Sequence, residues 1–168
     1  MGKEKSLILD QFQIEQKTKR IAFEIYESNF KEDSLIIAGI YEQGYQFAKE
    51  LFHELEKISP FALTLVKISL DKDAPMQCEV ELDIPRDLLI GKCVVIVDDV
   101  LNTGRTMAYS LEPFLNQKIK KLETAVLVNR SHKLFPISAN YNGYELSTTI
   151  HERIEVNLKD QQKSVFLT

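Results

Sequence analysis

Val94-Val95-Ile96-Val97-Asp98-Asp99-Val100-Leu101-Asn102-Thr103-Gly104-Arg105-Thr106 is the stretch on which the fold of this 168-residue chain turns. Cys93 to Val97 is a short, unbroken apolar run, the pattern of a strand covered on both faces. Asp98 and Asp99 stand at its carboxyl end. From Gly104 the spacing of Met107, Ala108, Leu111, Phe114 and Leu115 predicts a helix to about Asn116. Open α/β sheets bind their ligands beyond the carboxyl ends of such strands. Two carboxylates buried there without partners would be costly, so hydroxyls, a metal or water should meet them. Thr103, Gly104, Arg105 and Thr106 add backbone N–H groups, hydroxyls and a helix start, which together make a phosphate cradle. Carboxylates for a diol beside a cradle for phosphate describe a phosphorylated ribose.

Outward from this segment the chain alternates strands and helices. Asp10 and Gln13 form a capping box ahead of Ile14, Thr18, Ile21 and Ile25, which predicts a helix over 10–29. Ser34 to Gly39 reads as a buried strand. Tyr41-Glu42-Gln43-Gly44 follows as a loop, and Phe47, Ala48, Leu51 and Leu55 mark the inner face of a second helix. Further strands are expected at 62–70, 80–84 and 122–128, the second ended by Pro85. Tyr141-Asn142-Gly143-Tyr144 reads as a turn, and 154–158 and 164–167 as late strands in a small cap or an antiparallel edge. The sum is one domain over 1–168: an α/β fold with a mostly parallel twisted sheet flanked by helices and a small flap or hood.

Composition narrows the partners. Hydrophobic residues make up 44% and charged residues 27%, as in an ordinary folded domain, and the net charge of −4 disfavours a globally basic nucleic-acid binder. No apolar run approaches the roughly 18 residues of a membrane span, and Met1-Gly2-Lys3-Glu4-Lys5 is not followed by a signal-peptide core, so a cytoplasmic protein is expected. Cys78 and Cys93 are too few for a disulfide scaffold. His53, His132 and His151 are scattered and predict no metal cage built by protein alone. Neither the G-x-x-x-x-G-K-[ST] loop nor a G-x-G-x-x-G after a strand is present.

With its apolar strand, acid pair and Thr-Gly-x-Thr loop, the chain resembles the type I phosphoribosyltransferases, and most closely the bifunctional pyrimidine operon regulator / uracil phosphoribosyltransferase family. Collinear matches support this: Ile8-Leu9-Asp10, Arg20-Ile21-Ala22, Asp83-Ile84-Pro85, Ala125 to Val128 with Arg130 and His132, and Tyr141 with Gly143. The resemblance implies transfer of phosphoribose from phosphoribosyl pyrophosphate (PRPP) to a nucleobase, uracil first. It places Asp98 and Asp99 on the ribose hydroxyls and Asn102 to Thr106 on the phosphate. Mg²⁺ would be bound mainly through PRPP, and Tyr41, Glu42, Gln43 and Gly44 would form the pyrophosphate loop. Asp99 and Lys72 would serve catalysis, the latter in Asp71-Lys72-Asp73 of a covering loop. Base contacts would fall on Val128, Arg130 and Tyr144, and homo-oligomers are expected.

The chain departs from that family where Glu42-Gln43 replace an expected cation, and where Asn129 and Ser131 replace the usual Asp and Gly. Glu42 would set a carboxylate beside a polyanion. The alternative reading is a weakly catalytic regulator that senses PRPP or a nucleotide. Its RNA contact would use Lys118, Lys120, Lys121, Arg130, His132 and Lys133, although a solvated surface is the simpler reading of that run.

Overall fold

Asp10 sets the first helix. In the computed structural model, which describes residues 5–76 and 78–168, its side chain accepts from the Gln13 N–H while Gln13 returns a bond to the Asp10 N–H. The expectations for Met1–Glu4 and for Gln77 lie outside the described residues. A short strand β1 (Ser6–Leu9) leads into α1 (Gln11–Asn29), then β2 (Ser34–Ile40), α2 (Gln43–Ile58), β3 (Ala62–Ser69) and β4 (Glu81–Leu82). A 3-10 turn at Arg86–Leu89 precedes β5 (Cys93–Leu101), α3 (Arg105–Ser110), α4 (Glu112–Leu115) and β6 (Lys121–Arg130). The chain closes with β7 (Tyr141–Leu146), β8 (Ile154–Asn157) and β9 (Ser164–Leu167).

Six strands form the main sheet in the order β4-β3-β2-β5-β6-β7, parallel except for β4. α1 and α2 cover one face through Ile14, Ile21, Ile25, Phe47 and Leu51, which pack on Val95, Val97 and Leu127. On the other face Met107 and Phe114 meet Val94, Ile96 and Val126. The acid-bearing strand β5 lies between β2 and β6, which is why its run from 93 to 97 carries no polar side chain. A second sheet, antiparallel β1-β9-β8, packs Leu9, Leu158 and Val165 into the core on the α1 side.

Three expectations are corrected. Tyr141 to Tyr144 is not a turn but the start of β7, the parallel edge strand beside β6. Gly143 serves close approach there: a Cβ on it would stand 2.5 Å from the Leu127 carbonyl oxygen. The helix predicted over 104–116 is two short helices with Leu111 between them. Pro113 sits in the first turn of the second and has no N–H to give to the preceding turn. The strand predicted over 80–84 shrinks to Glu81–Leu82, and β1 was not anticipated as a strand. Among the described residues, no helix is long and apolar enough to cross a membrane.

Candidate active site

The acids come first because the sheet puts them at its carboxyl edge. β5 runs on through Asp98 and Asp99 to Leu101, pairing with β6 along this length. Asp98 is only 3% exposed. One of its oxygens accepts from the Asp99 N–H at 2.9 Å, and Lys72 Nζ lies 3.5 Å from it. Burial drives the Asp98 carboxyl well above the usual carboxylate range, the Asp99 charge adds to the rise, and Lys72 opposes it. Lys72, expected in a covering loop, thus stands beside the acid pair through Asp98. Its loop is shaped by Asp71, which accepts from the N–H groups of Asp73 and Ala74.

On one side of Asp98 stands the start of α2. Gln43 and Gly44 are not loop residues but the first turn of this helix, and only Tyr41 and Glu42 connect it to β2. The Tyr41–Glu42 peptide is cis. A Cβ on Gly44 would lie 2.6 Å from an Asp98 carboxylate oxygen and 2.9 Å from the Asp98 Cα, so only glycine lets the helix start touch the acid strand. Glu42 is the residue before the helix and makes no side-chain cap. Its carboxylate takes a hydrogen bond from Lys159, which lowers its pKa below the ordinary glutamate value. The feared unpaired anion is thus paired.

On the other side is a small cleft of about 110 Å³ lined by Asp98, Asn102, Thr103, Gly104 and Thr106. Gly104 has φ +85°, a left-handed turn that favours glycine, and it reverses the chain into α3. The Arg105 N–H donates to the Thr103 hydroxyl at 3.3 Å. Since α3 is only 105–110, the cradle draws on loop N–H groups and hydroxyls more than on the dipole of a long helix. The 130s loop braces it from behind: Leu134 and Phe135 both donate their N–H groups to the Thr103 carbonyl, at 2.8 and 3.0 Å.

The expected base residues are committed elsewhere. Val128 is fully buried in the core beneath α1 and α2. Tyr144 lines a separate groove of about 400 Å³ with Gln13, Lys17 and Arg20, and Lys17 Nζ stands 5.4 Å from its ring centre. Arg130, 7% exposed, donates to Asn102 Oδ1 at 3.2 Å, to the Thr148 hydroxyl and to the Thr149 carbonyl at 2.9 Å. It is a strut between the loop at Asn102 and the chain after β7. Arg130→Met keeps the stem but removes the three hydrogen bonds made by this buried guanidinium, and should cost about 2 kcal/mol of stability in urea unfolding. Thr148, Thr149 and Lys159 were not found from the sequence, because each reaches the site only through the fold.

Among the described residues, no three His, Cys, Asp or Glu side chains gather as a metal cage. The acid pair nevertheless fits Mg²⁺, a hard cation that takes one or two carboxylates and completes its shell with phosphate oxygens and water. A divalent charge there would also relieve the strained ionisation of Asp98.

A family model for the phosphoribosyl transferase domain matches residues 5–161 of this chain. The chain belongs to that family. Within the phosphoribosyl transferase domain family, a bifunctional protein PyrR of Fusobacterium nucleatum is 34% identical over 161 residues, covering 92% of this chain and 91% of that protein. A Staphylococcus aureus protein of the same name is 33% identical, with 96% and 97% covered. Solved structures share the fold: a Bacillus anthracis hypoxanthine-guanine phosphoribosyltransferase superposes with a TM-score of 0.74 at 21% identity, covering 96% of this chain and 99% of that one. A Trypanosoma cruzi hypoxanthine phosphoribosyltransferase gives 0.76 at 16% identity, with 95% of each chain covered.

Proposed function

We propose that this chain transfers the phosphoribosyl group of PRPP to a nucleobase, uracil first, and releases diphosphate. The observation that carries the reading is the placement of Asp98 between the start of α2 at Gly44 and the cradle at 102–106, with Asp99 next to it on β5. The 5′-phosphate would rest in the cradle, with the ribose hydroxyls on the acid pair and the diphosphate at the α2 start. The bond from the anomeric carbon to the diphosphate oxygen breaks, a bond to the base nitrogen forms, and the proton on that nitrogen passes to the departing diphosphate or to water. Charge builds on the ribose ring as the diphosphate leaves, so alignment and electrostatics supply the catalysis. Lys72 is placed to follow the charge from Asp98 to the departing oxygens. Asp98 and Asp99 are the residues that would hold a Mg²⁺ ion arriving with PRPP, and the ion would supply positive charge for the leaving diphosphate.

The test is nucleotide formation from PRPP and Mg²⁺ with a panel of pyrimidine and purine bases. Uracil should give uridine monophosphate (UMP) fastest, and absence of turnover with every base would sink the reading.

A second reading, a nucleotide-sensing regulator with little turnover, draws on Glu42 in the diphosphate loop. UMP binding without nucleotide formation would favour it. Its RNA arm is weakened by what the cationic run already touches: Lys120 is paired with Glu32, Lys121 with Glu123, and Lys133 with Asn129 and the Arg130 carbonyl. Each of these contacts would have to be exchanged for a phosphate contact, which lowers the net gain from tracking a phosphate backbone.

A further inference from the structure

We propose that Lys159 is the cation that grips the diphosphate of PRPP, and that Glu42 holds its ammonium group in readiness until the diphosphate arrives. The assignment rests on the phosphoribosyl-transfer reading above and deepens it.

The backbone around Lys159 is pinned, so the position of its side chain is not incidental. Leu158 is buried in the core and its N–H donates to Gln43 Oε1 at 3.2 Å. Asn157 Oδ1 accepts from the N–H groups of Lys159 and Asp160. These bonds fasten the turn after β8 to the first turn of α2, whose next residue, Gly44, is built against Asp98. Lys159 is thus held one residue from the helix start that faces the acid pair, although it lies more than a hundred positions from Glu42 in sequence.

The pair itself is easily opened. The side chains of Lys159 and Glu42 are 41% and 49% exposed, and ion pairs of that kind hold weakly. A diphosphate brings several negative charges and many acceptor oxygens to the same place, and should outcompete one carboxylate for a flexible lysine. The direct bond between Lys159 and Glu42 also accounts for a feature that otherwise works against substrate. A carboxylate at the diphosphate end of the site is tolerable if it keeps a cation there, and costly if it does not. Glu42 belongs to β2–α2 and Lys159 to the β8–β9 turn, so their contact also ties the second sheet to the site.

The experiment is calorimetric titration of Mg²⁺-containing wild type, Lys159→Ala, Lys159→Arg and Glu42→Gln with inorganic diphosphate, PRPP and UMP. Losing one charge-assisted contact should weaken diphosphate and PRPP binding to Lys159→Ala about tenfold. UMP, which has no diphosphate, should change less than about twofold by the same arithmetic. Lys159→Arg should recover most of the loss, and Glu42→Gln should tighten diphosphate binding about threefold because the competing negative charge is gone. Lys159→Ala that binds diphosphate as wild type does, or that loses UMP and diphosphate equally, would overturn the assignment. Lys159-dependent diphosphate binding without nucleotide formation would uphold it while removing the transfer reading. Wild type that binds neither diphosphate nor PRPP would remove both.

Discussion

Asp98→Asn is expected to make the protein more stable and to stop it from working. The ionised Asp98 carboxylate is penalised in the folded state by burial first and by Asp99 second. A raised carboxyl pKa destabilises the fold at pH values above it. That penalty shrinks as the pH falls toward the unfolded value and vanishes below it, where both states are protonated. Asparagine removes the penalty while its Oδ1 can keep the bond from the Asp99 N–H. The gain should be about 1 kcal/mol near neutral pH, the size typical of relieving a strained functional site, and should disappear below about pH 3. Thermal unfolding at both pH values reads it. Turnover should fall about a hundredfold or more, because the carboxylate no longer supports the ribose and the charge around it. Asp99→Asn should lose comparable activity without the gain in stability, since Asp99 is only half-buried. Wild-type PRPP affinity in both variants would remove the acid pair from the site.

The second large effect is expected at Gly44→Ala. Helix propensity alone favours the change by about 1 kcal/mol. Against it stand an Asp98 carboxylate oxygen at 2.6 Å, the Asp98 Cα at 2.9 Å and the Val97 carbonyl oxygen at 3.0 Å from the new methyl group. Two of these are backbone atoms of a central strand, which cannot swing aside as a side-chain tip would. The clash should therefore win, with a net cost of about 2 kcal/mol and a loss of PRPP binding of about a hundredfold as the α2 start lifts from the acids. Chemical denaturation and titration with PRPP measure the two parts separately. A neutral or stabilised Gly44→Ala variant that binds PRPP normally would show that the contact between α2 and Asp98 is dispensable.

How far the sequence reaches is clearest at particular elements. The capping box at Asp10 and the buried strand before Asp98 were legible because their signals are local: a side chain bonding three residues away, and an apolar run of strand length. β7 was misread because Asn142-Gly143 has the composition of a turn, whereas the glycine answers a close approach to Leu127 that only the paired strand creates. β1 was missed because the strand it pairs with, β9, lies at the opposite end of the chain. The site divides the same way. Asp98, Asp99 and Thr103 announce themselves in one continuous segment, and the family resemblance extended the prediction to Lys72. For Arg130 the resemblance implied a base contact, whereas the bonds of its guanidinium to Asn102, Thr148 and Thr149 carry no signal in the sequence. Lys159 carries no signal at all until the second sheet sets it beside Glu42.

The lacing of β1 to β9 bears on the order in which the molecule assembles. The parallel core joins segments that follow one another closely along the chain, while Ser6 meets Leu167 only after both ends have been gathered in. Closing so large a loop is entropically the most demanding step, so this ribbon is the last part to settle and the first to let go. The β8–β9 turn has an anchor of its own in the bond from the Leu158 N–H to Gln43, so it stays with the start of α2 when the ribbon of chain ends frays.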